Sequence, residues 1–231
     1  MLITTVTLLL LLLFGCQSSS PEEKAATPAP VAPPAAVDPA DDRSVIVAFG
    51  DSLTSGHGAG RGNSYPDYLQ QMIDARDLPF RVVNEGVSGD TSDMGLARIG
   101  AVTAHNPEFV VIAFGGNDGL RALPVDHMRD NLRRIIRQSQ ENGATVVLAG
   151  IKLPPNYGKE YIDAFEASYA ELAQEMDVPF VPFLLEGVGG HEEFMQDDGV
   201  HPTAEGNRRV AENVFAVLEP LLREAVTSAS P

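Results

Sequence analysis

The sequence predicts a three-layer α/β fold with a five-stranded parallel sheet. Five apolar runs of strand length carry that expectation: Val45–Phe49, Phe80–Val83, Phe109–Phe114, Thr145–Ala149 and roughly 179–183. None alternates with polar residues, which is how strands covered on both faces read. Segments of helical period lie between and after these runs. Strands alternating with helices build a parallel sheet sandwiched between helical layers. In such folds ligands gather at the carboxyl ends of the strands.

Taken in order, the chain begins with an uninterrupted apolar run, Leu8–Phe14, ending in Leu13-Phe14-Gly15-Cys16. It is too short to span a bilayer and sits where a signal sequence has its apolar region. The ending resembles the lipobox of bacterial lipoproteins, which implies a leader over 1–15 and lipidation of Cys16. An ordinary secretory leader with an incidental cysteine is the alternative. Gln17 follows where inner-membrane retention signals carry Asp, so the resemblance points to an outer-membrane lipoprotein facing the periplasm. Cys16 is the only cysteine, which leaves no internal disulfide to form. Residues 16–43 are rich in Ser, Pro and Ala and read as an extended tether. The domain is expected over 44–225.

Within it, Pro66 opens the first long helix. Met128, Leu132, Ile135 and Ile136 share one face of a helix that Gly143 stops, and Tyr161, Phe165, Tyr169 and Leu172 share one face of the next. These aromatic residues are expected in the core. Val210, Val214, Val217 and Leu221 mark the last helix. The balance of 16 Lys and Arg against 32 Asp and Glu, a net charge of −16, repels phosphate backbones and excludes a nucleic-acid role. The expected unit is a monomer acting on a small molecule.

The chemistry sits at the strand ends. The first strand runs into Gly50-Asp51-Ser52-Leu53, the second into Ser88-Gly89-Asp90-Thr91-Ser92, and the third into Gly115-Gly116-Asn117-Asp118-Gly119. Asp198-Gly199-Val200-His201-Pro202 comes near the C-terminus. Small residues beside a polar group let backbone N–H donors approach a ligand. Acyl transfer needs a nucleophilic hydroxyl, a base, a carboxylate that orients the base, and oxyanion donors. Ser52 follows a strand and is the candidate nucleophile; as an alternative it would merely cap a helix. Asp198 and His201, three residues apart, are the candidate orienter and base; the alternative is a surface ion pair. Asn117 supplies an amide donor or else only shapes a turn, and the backbone of Ser52 and Gly89 offers two more donors. Asp51 reads as structural, bonding loop amides. His57, His105, His127 and His191 read as solvated or capping, although His57 lies near the pocket in a glycine-rich stretch.

These four blocks, in this order, resemble those of the SGNH (GDSL) hydrolases. The phrases 88–92, 115–121, 153–158 and 195–202 are most similar to the bacterial thioesterase I, lysophospholipase and arylesterase branch. The resemblance implies a flavodoxin-like fold and a catalytic triad of Ser52, Asp198 and His201. Ser52, Gly89 and Asn117 would form the oxyanion hole. It further implies substrate-binding by Asp118, Gly119, Leu120, Leu123 and Pro154, with 118–123 moving as the acyl chain binds. No metal and no cofactor are implied. The expected activity is hydrolysis of carboxylic esters or lysophospholipids through an acyl-enzyme; the runner-up is an O-acetylesterase acting on carbohydrate or peptidoglycan.

Overall fold

The computed structural model describes residues 41–229. Cys16, the expected leader and most of the expected tether lie outside them. The elements follow one another as β1 (Ser44–Gly50), α1 (Ser52–Ser55), α2 (Tyr65–Asp74), β2 (Phe80–Gly86), α3 (Ser92–Ala97), α4 (Ile99–Thr103) and β3 (Phe109–Ala113). Then come α5 (Gly116–Leu120), α6 (Val125–Glu141), β4 (Thr145–Ala149), α7 (Lys159–Glu175), β5 (Phe180–Val181) and α8 (Ala204–Ala229).

All five strands are parallel, in the order β2-β1-β3-β4-β5. The chain therefore leaves β1 in one direction and later crosses to β3 in the other. Right-handed crossovers then place the two sets of connecting helices on opposite faces. Accordingly α2 packs against α8, while α3, α4 and α7 pack against α6. The gap between β1 and β3 is the switch point of the sheet, where folds of this strand order bind ligands.

The core lies on both sides of β1, β3 and β4. Ile46 to Phe49, Val110 to Phe114 and Val147 to Ala149 are all completely buried. Phe165 and Tyr169 are buried as well. The Tyr169 hydroxyl donates to the Phe114 carbonyl over 2.9 Å, so the polar tip is satisfied inside the core.

Four boundaries differ from the sequence reading. β2 is an edge strand, only partly covered along most of its length, and it runs on through polar Asn84 and Glu85 to Gly86. Pairing with β1 extends it: each added residue lies opposite one in Ala48–Gly50. β5 shrinks to two residues because prolines flank it on both sides and lack the N–H a ladder needs. α8 continues past 225 to Ala229 with Pro220 inside it. Arg43, expected within the tether, is held to the domain: its guanidinium binds Asp41, Asp74 and the Phe80 carbonyl.

Three small residues, Gly50, Gly86 and Ala113, stand side by side at the ends of β1, β2 and β3. A Cβ at Gly50 would collide with Thr54 Oγ1 and lie 2.5 Å from the Ala113 carbonyl oxygen. Only hydrogen at this position lets α1 sit directly on the sheet edge. Gly50→Ala should therefore cost about 1–3 kcal/mol, as overpacking does. Urea unfolding checks this; an unchanged midpoint would show that the edge can relax.

Candidate active site

The turn after β1 displays Ser52. Asp51 caps α1 by accepting the Leu53 N–H over 3.0 Å, so the capping role falls to Asp51 and the Ser52 hydroxyl is left for other work. That hydroxyl lies 2.8 Å from His201 Nε2. His201 Nδ1 in turn lies 2.6 Å from Asp198 Oδ2. The other carboxylate oxygen of Asp198 accepts the backbone N–H groups of Val200 and His201, at 2.9 and 3.0 Å. Three donors thus converge on one carboxylate. The His201 bond, followed by these amides, holds Asp198 down to a pKa of about 2 and so keeps it an acceptor for the imidazole. The geometry forms a continuous line of hydroxyl, imidazole and carboxylate.

Beside Ser52 stand Gly89 and Asn117, both lining the same cavity. Gly89 has a φ of 87°, a backbone conformation that glycine adopts without strain. Asn117 Nδ2 donates to the Asp90 carbonyl over 2.9 Å. Its second hydrogen faces only a long 3.4 Å contact with Asp51 Oδ2. Arg98 steadies this corner: it bonds Asp90 at 2.6 Å and the carbonyls of Glu85 and Gly50 at 2.9 Å each. One guanidinium thereby ties the ends of β1 and β2 to the turn that carries Gly89. Its face also stacks over Phe49, 4.6 Å from the ring centre.

The cavity, about 730 Å³ in volume, runs across the carboxyl ends of the strands. At one end are Ser52, Asn117 and His201; the wall is largely apolar, with Leu120, Ile151, Leu153, Phe183, Leu185 and Met195. Leu120 and Pro154 stand in this wall as expected from sequence. Asp118, Gly119 and Leu123 do not. The Asp118 carboxylate turns inward and accepts the Ser92 N–H and hydroxyl at 2.8 and 2.6 Å. Gly119 is buried, with Leu153 and Phe165 pressed so close that a side chain would collide. Leu123 directs its backbone to Asp118 and Tyr161. Sequence reasoning missed Phe183, Leu185 and Met195, which come from irregular segments without periodicity. Val200 and Ile151 were missed too, although both adjoin motif residues.

One histidine, His105, is half-buried rather than solvated, whereas His57 is exposed at the cavity as expected. His105 Nε2 meets Glu85 Oε1 at 2.8 Å. His57 stands against the imidazole of His201, with ring centres 4.6 Å apart. Its Nδ1 is 3.4 Å from Ser88 Oγ, which itself bonds Ser55 Oγ at 3.0 Å.

The profile of the GDSL-like lipase/acylhydrolase family matches residues 48–209. Esterase TesA of Pseudomonas aeruginosa is 42% identical over 178 residues, covering 77% of this chain and 89% of that one. Thioesterase 1/protease 1/lysophospholipase L1 of Escherichia coli K12 is 38% identical, covering 77% and 84%. Among solved structures, the crystal structure of TesA superposes with a TM-score of 0.75 at 41% identity, covering 77% of this chain and 99% of that one.

A second carboxylate lies beneath the nucleophile in a contrasting setting. Asp51 is 1% exposed, and burial pushes its pKa up to about 7, against the pull of the Leu53 N–H. Asp118 nearby adds to the rise. Because the folded value exceeds the unfolded 3.8, the folded chain holds the extra proton between the two. The stability this confers is complete below pH 3.8 and is lost as pH rises through about 7. Asp51→Asn keeps an oxygen for the Leu53 N–H but cannot titrate. From pH 4 to pH 7 its stability relative to wild type should rise by about 3 kcal/mol. Urea titrations at both pH values measure this; parallel behaviour of the two proteins would contradict it.

Proposed function

Because the chain belongs to the GDSL-like lipase/acylhydrolase family, it is a carboxylic ester hydrolase, and we propose that Ser52 carries its acyl-enzyme. The observation behind this assignment is the 2.8 Å contact of Ser52 Oγ with His201 Nε2. In this reading His201 takes the Ser52 proton as the oxygen attacks the ester carbonyl. Asp198, bonded to Nδ1, holds the tautomer that accepts at Nε2 and stabilises the imidazolium. The tetrahedral oxyanion rests on the N–H groups of Ser52 and Gly89 and on the second amide hydrogen of Asn117. One such donor contributes roughly 3 kcal/mol to lowering the barrier. His201 then protonates the departing alcohol. Water, deprotonated by the same imidazole, releases the carboxylic acid.

The substrate class is proposed from the cavity. Its apolar wall favours an acyl chain of several carbons, since each buried methylene contributes about 0.8 kcal/mol. An acetyl group would leave Phe183, Leu185 and Met195 without a partner. This supports medium-chain esters and lysophospholipids over the O-acetylesterase reading. Relatives named esterase and lysophospholipase support the same choice. We further place the enzyme at the outer membrane, facing the periplasm, anchored through lipidated Cys16; the lipobox-like Leu13–Cys16 supports this. Coenzyme A thioesters are scarce outside the cytoplasm, which again favours oxygen esters.

With p-nitrophenyl esters of graded length, kcat/KM should climb from acetate to medium-chain esters, and Ser52→Ala should be inactive throughout while remaining folded. A peak at acetate together with release of acetate from acetylated glycan would establish the rival activity. Near-normal turnover by the alanine variant would remove Ser52 from the mechanism. For the anchor, Cys16→Ser should abolish incorporation of labelled palmitate and free the enzyme into the soluble fraction; persistent labelling would place the lipid elsewhere.

A further inference from the structure

We infer that Gln196 is a positioning residue that holds His201 within reach of Ser52. The inference rests on the roles proposed above for those two residues, which come from segments 149 positions apart. The Gln196 side-chain amide donates both its hydrogens to backbone carbonyls: to His57 at 2.7 Å and to Pro202 at 2.8 Å. Pro202 immediately follows the base. His57 lies just beyond α1, and its N–H donates to the Ser52 carbonyl over 3.1 Å. One unbroken run of hydrogen bonds therefore links the peptide of the nucleophile, the peptide of His57, the Gln196 amide and the loop of the base.

The backbone of Gln196 reinforces the link. Its N–H donates to the His201 carbonyl over 2.8 Å, and its carbonyl accepts the Gly199 N–H over 2.9 Å. Met195 and Pro202 pair in an antiparallel bridge that closes the loop at its base. Gly58 makes room on the other side: a Cβ there would strike Gln196 Oε1. Both donors of one NH2 group are spent joining two loops, and Gln196 does not line the cavity. Two other features link the same loops: the side-by-side rings of His57 and His201, and the triad bond itself. Neither fixes the backbone.

A carboxylate facing the same two carbonyls repels both, so Gln196→Glu removes the tie at constant shape. Gln196→Met removes it without adding charge. For each variant we expect kcat to fall roughly 10- to 100-fold, the penalty for misplacing a reacting group by about an ångström. KM should stay near the wild-type value for short and long acyl chains alike, because the cavity wall is intact. Labelling of Ser52 by a fluorophosphonate should slow in parallel with kcat while reaching full occupancy. Thermal unfolding and circular dichroism run alongside. Wild-type kcat in either variant overturns the inference. So does a loss that appears mainly as raised KM for long-chain esters, or one matched by a falling fraction of folded protein. If Ser52→Ala retains activity, the underlying assignment fails instead, and the two failures are distinguished.

Discussion

Everything in the site depends on three parallel strands ending at the same level on residues without bulk. Gly50, Gly86 and Ala113 face one another in register, and α1 settles onto the edge they form. That placement brings Ser52, the Gly89 turn and the Asn117 turn to the switch point between β1 and β3, each delivered by a different strand. Shared register means that no long loop has to be ordered to assemble them. Arg98 completes the frame by bonding two strand-end carbonyls and Asp90 at once. Such a rigid platform is what preorganised oxyanion donors require, since they assist only if they need not reorient as charge develops.

Two carboxylates a few residues from the reacting hydroxyl and base are pushed in opposite directions by their surroundings. Asp198, half exposed and met by three N–H donors, stays ionised. Asp51, enclosed and with fewer donors, is driven toward neutrality. The carboxylate met by converging donors is thus kept ionised, and the enclosed one is pushed the other way. A net charge of −16 for the chain says nothing about this division, which is local.

Much of this was legible in the sequence, for definite reasons. Uninterrupted β-branched runs revealed β1, β3 and β4 because strands buried on both faces tolerate little else. Ser52, Asn117, Asp198 and His201 stood out because each sits within two residues of a glycine, at a strand end or within a compact turn. Side-chain direction was less accessible. Asp118 adjoins Asn117 in sequence, yet successive residues on a helix point about 100° apart; it turns into the core to hold Ser92 while its neighbour faces the cavity. The wall formed by Phe183, Leu185 and Met195 was hidden because irregular segments carry no period from which a facing side can be read. The pairing of His105 with Glu85 joins separate elements, so no local spacing announced it.

Binding and proton transfer share one short loop here. Met195 and Val200 belong to the cavity wall, Gln196 ties the loop to the turn that carries Ser52, and Asp198 and His201 are the proposed orienter and base. All lie within the turn closed by the Met195–Pro202 bridge. A side chain remodelled on this side of the cavity moves the backbone that carries the imidazole. Phe183 and Leu185 line the cavity from a separate segment after β5. Chain-length preference can therefore diverge through that segment without cost to turnover, whereas changes to the wall side chains Met195 and Val200 alter both together. The physical basis is the hydrogen-bonded closure of a loop too short to flex at one position while staying fixed at another.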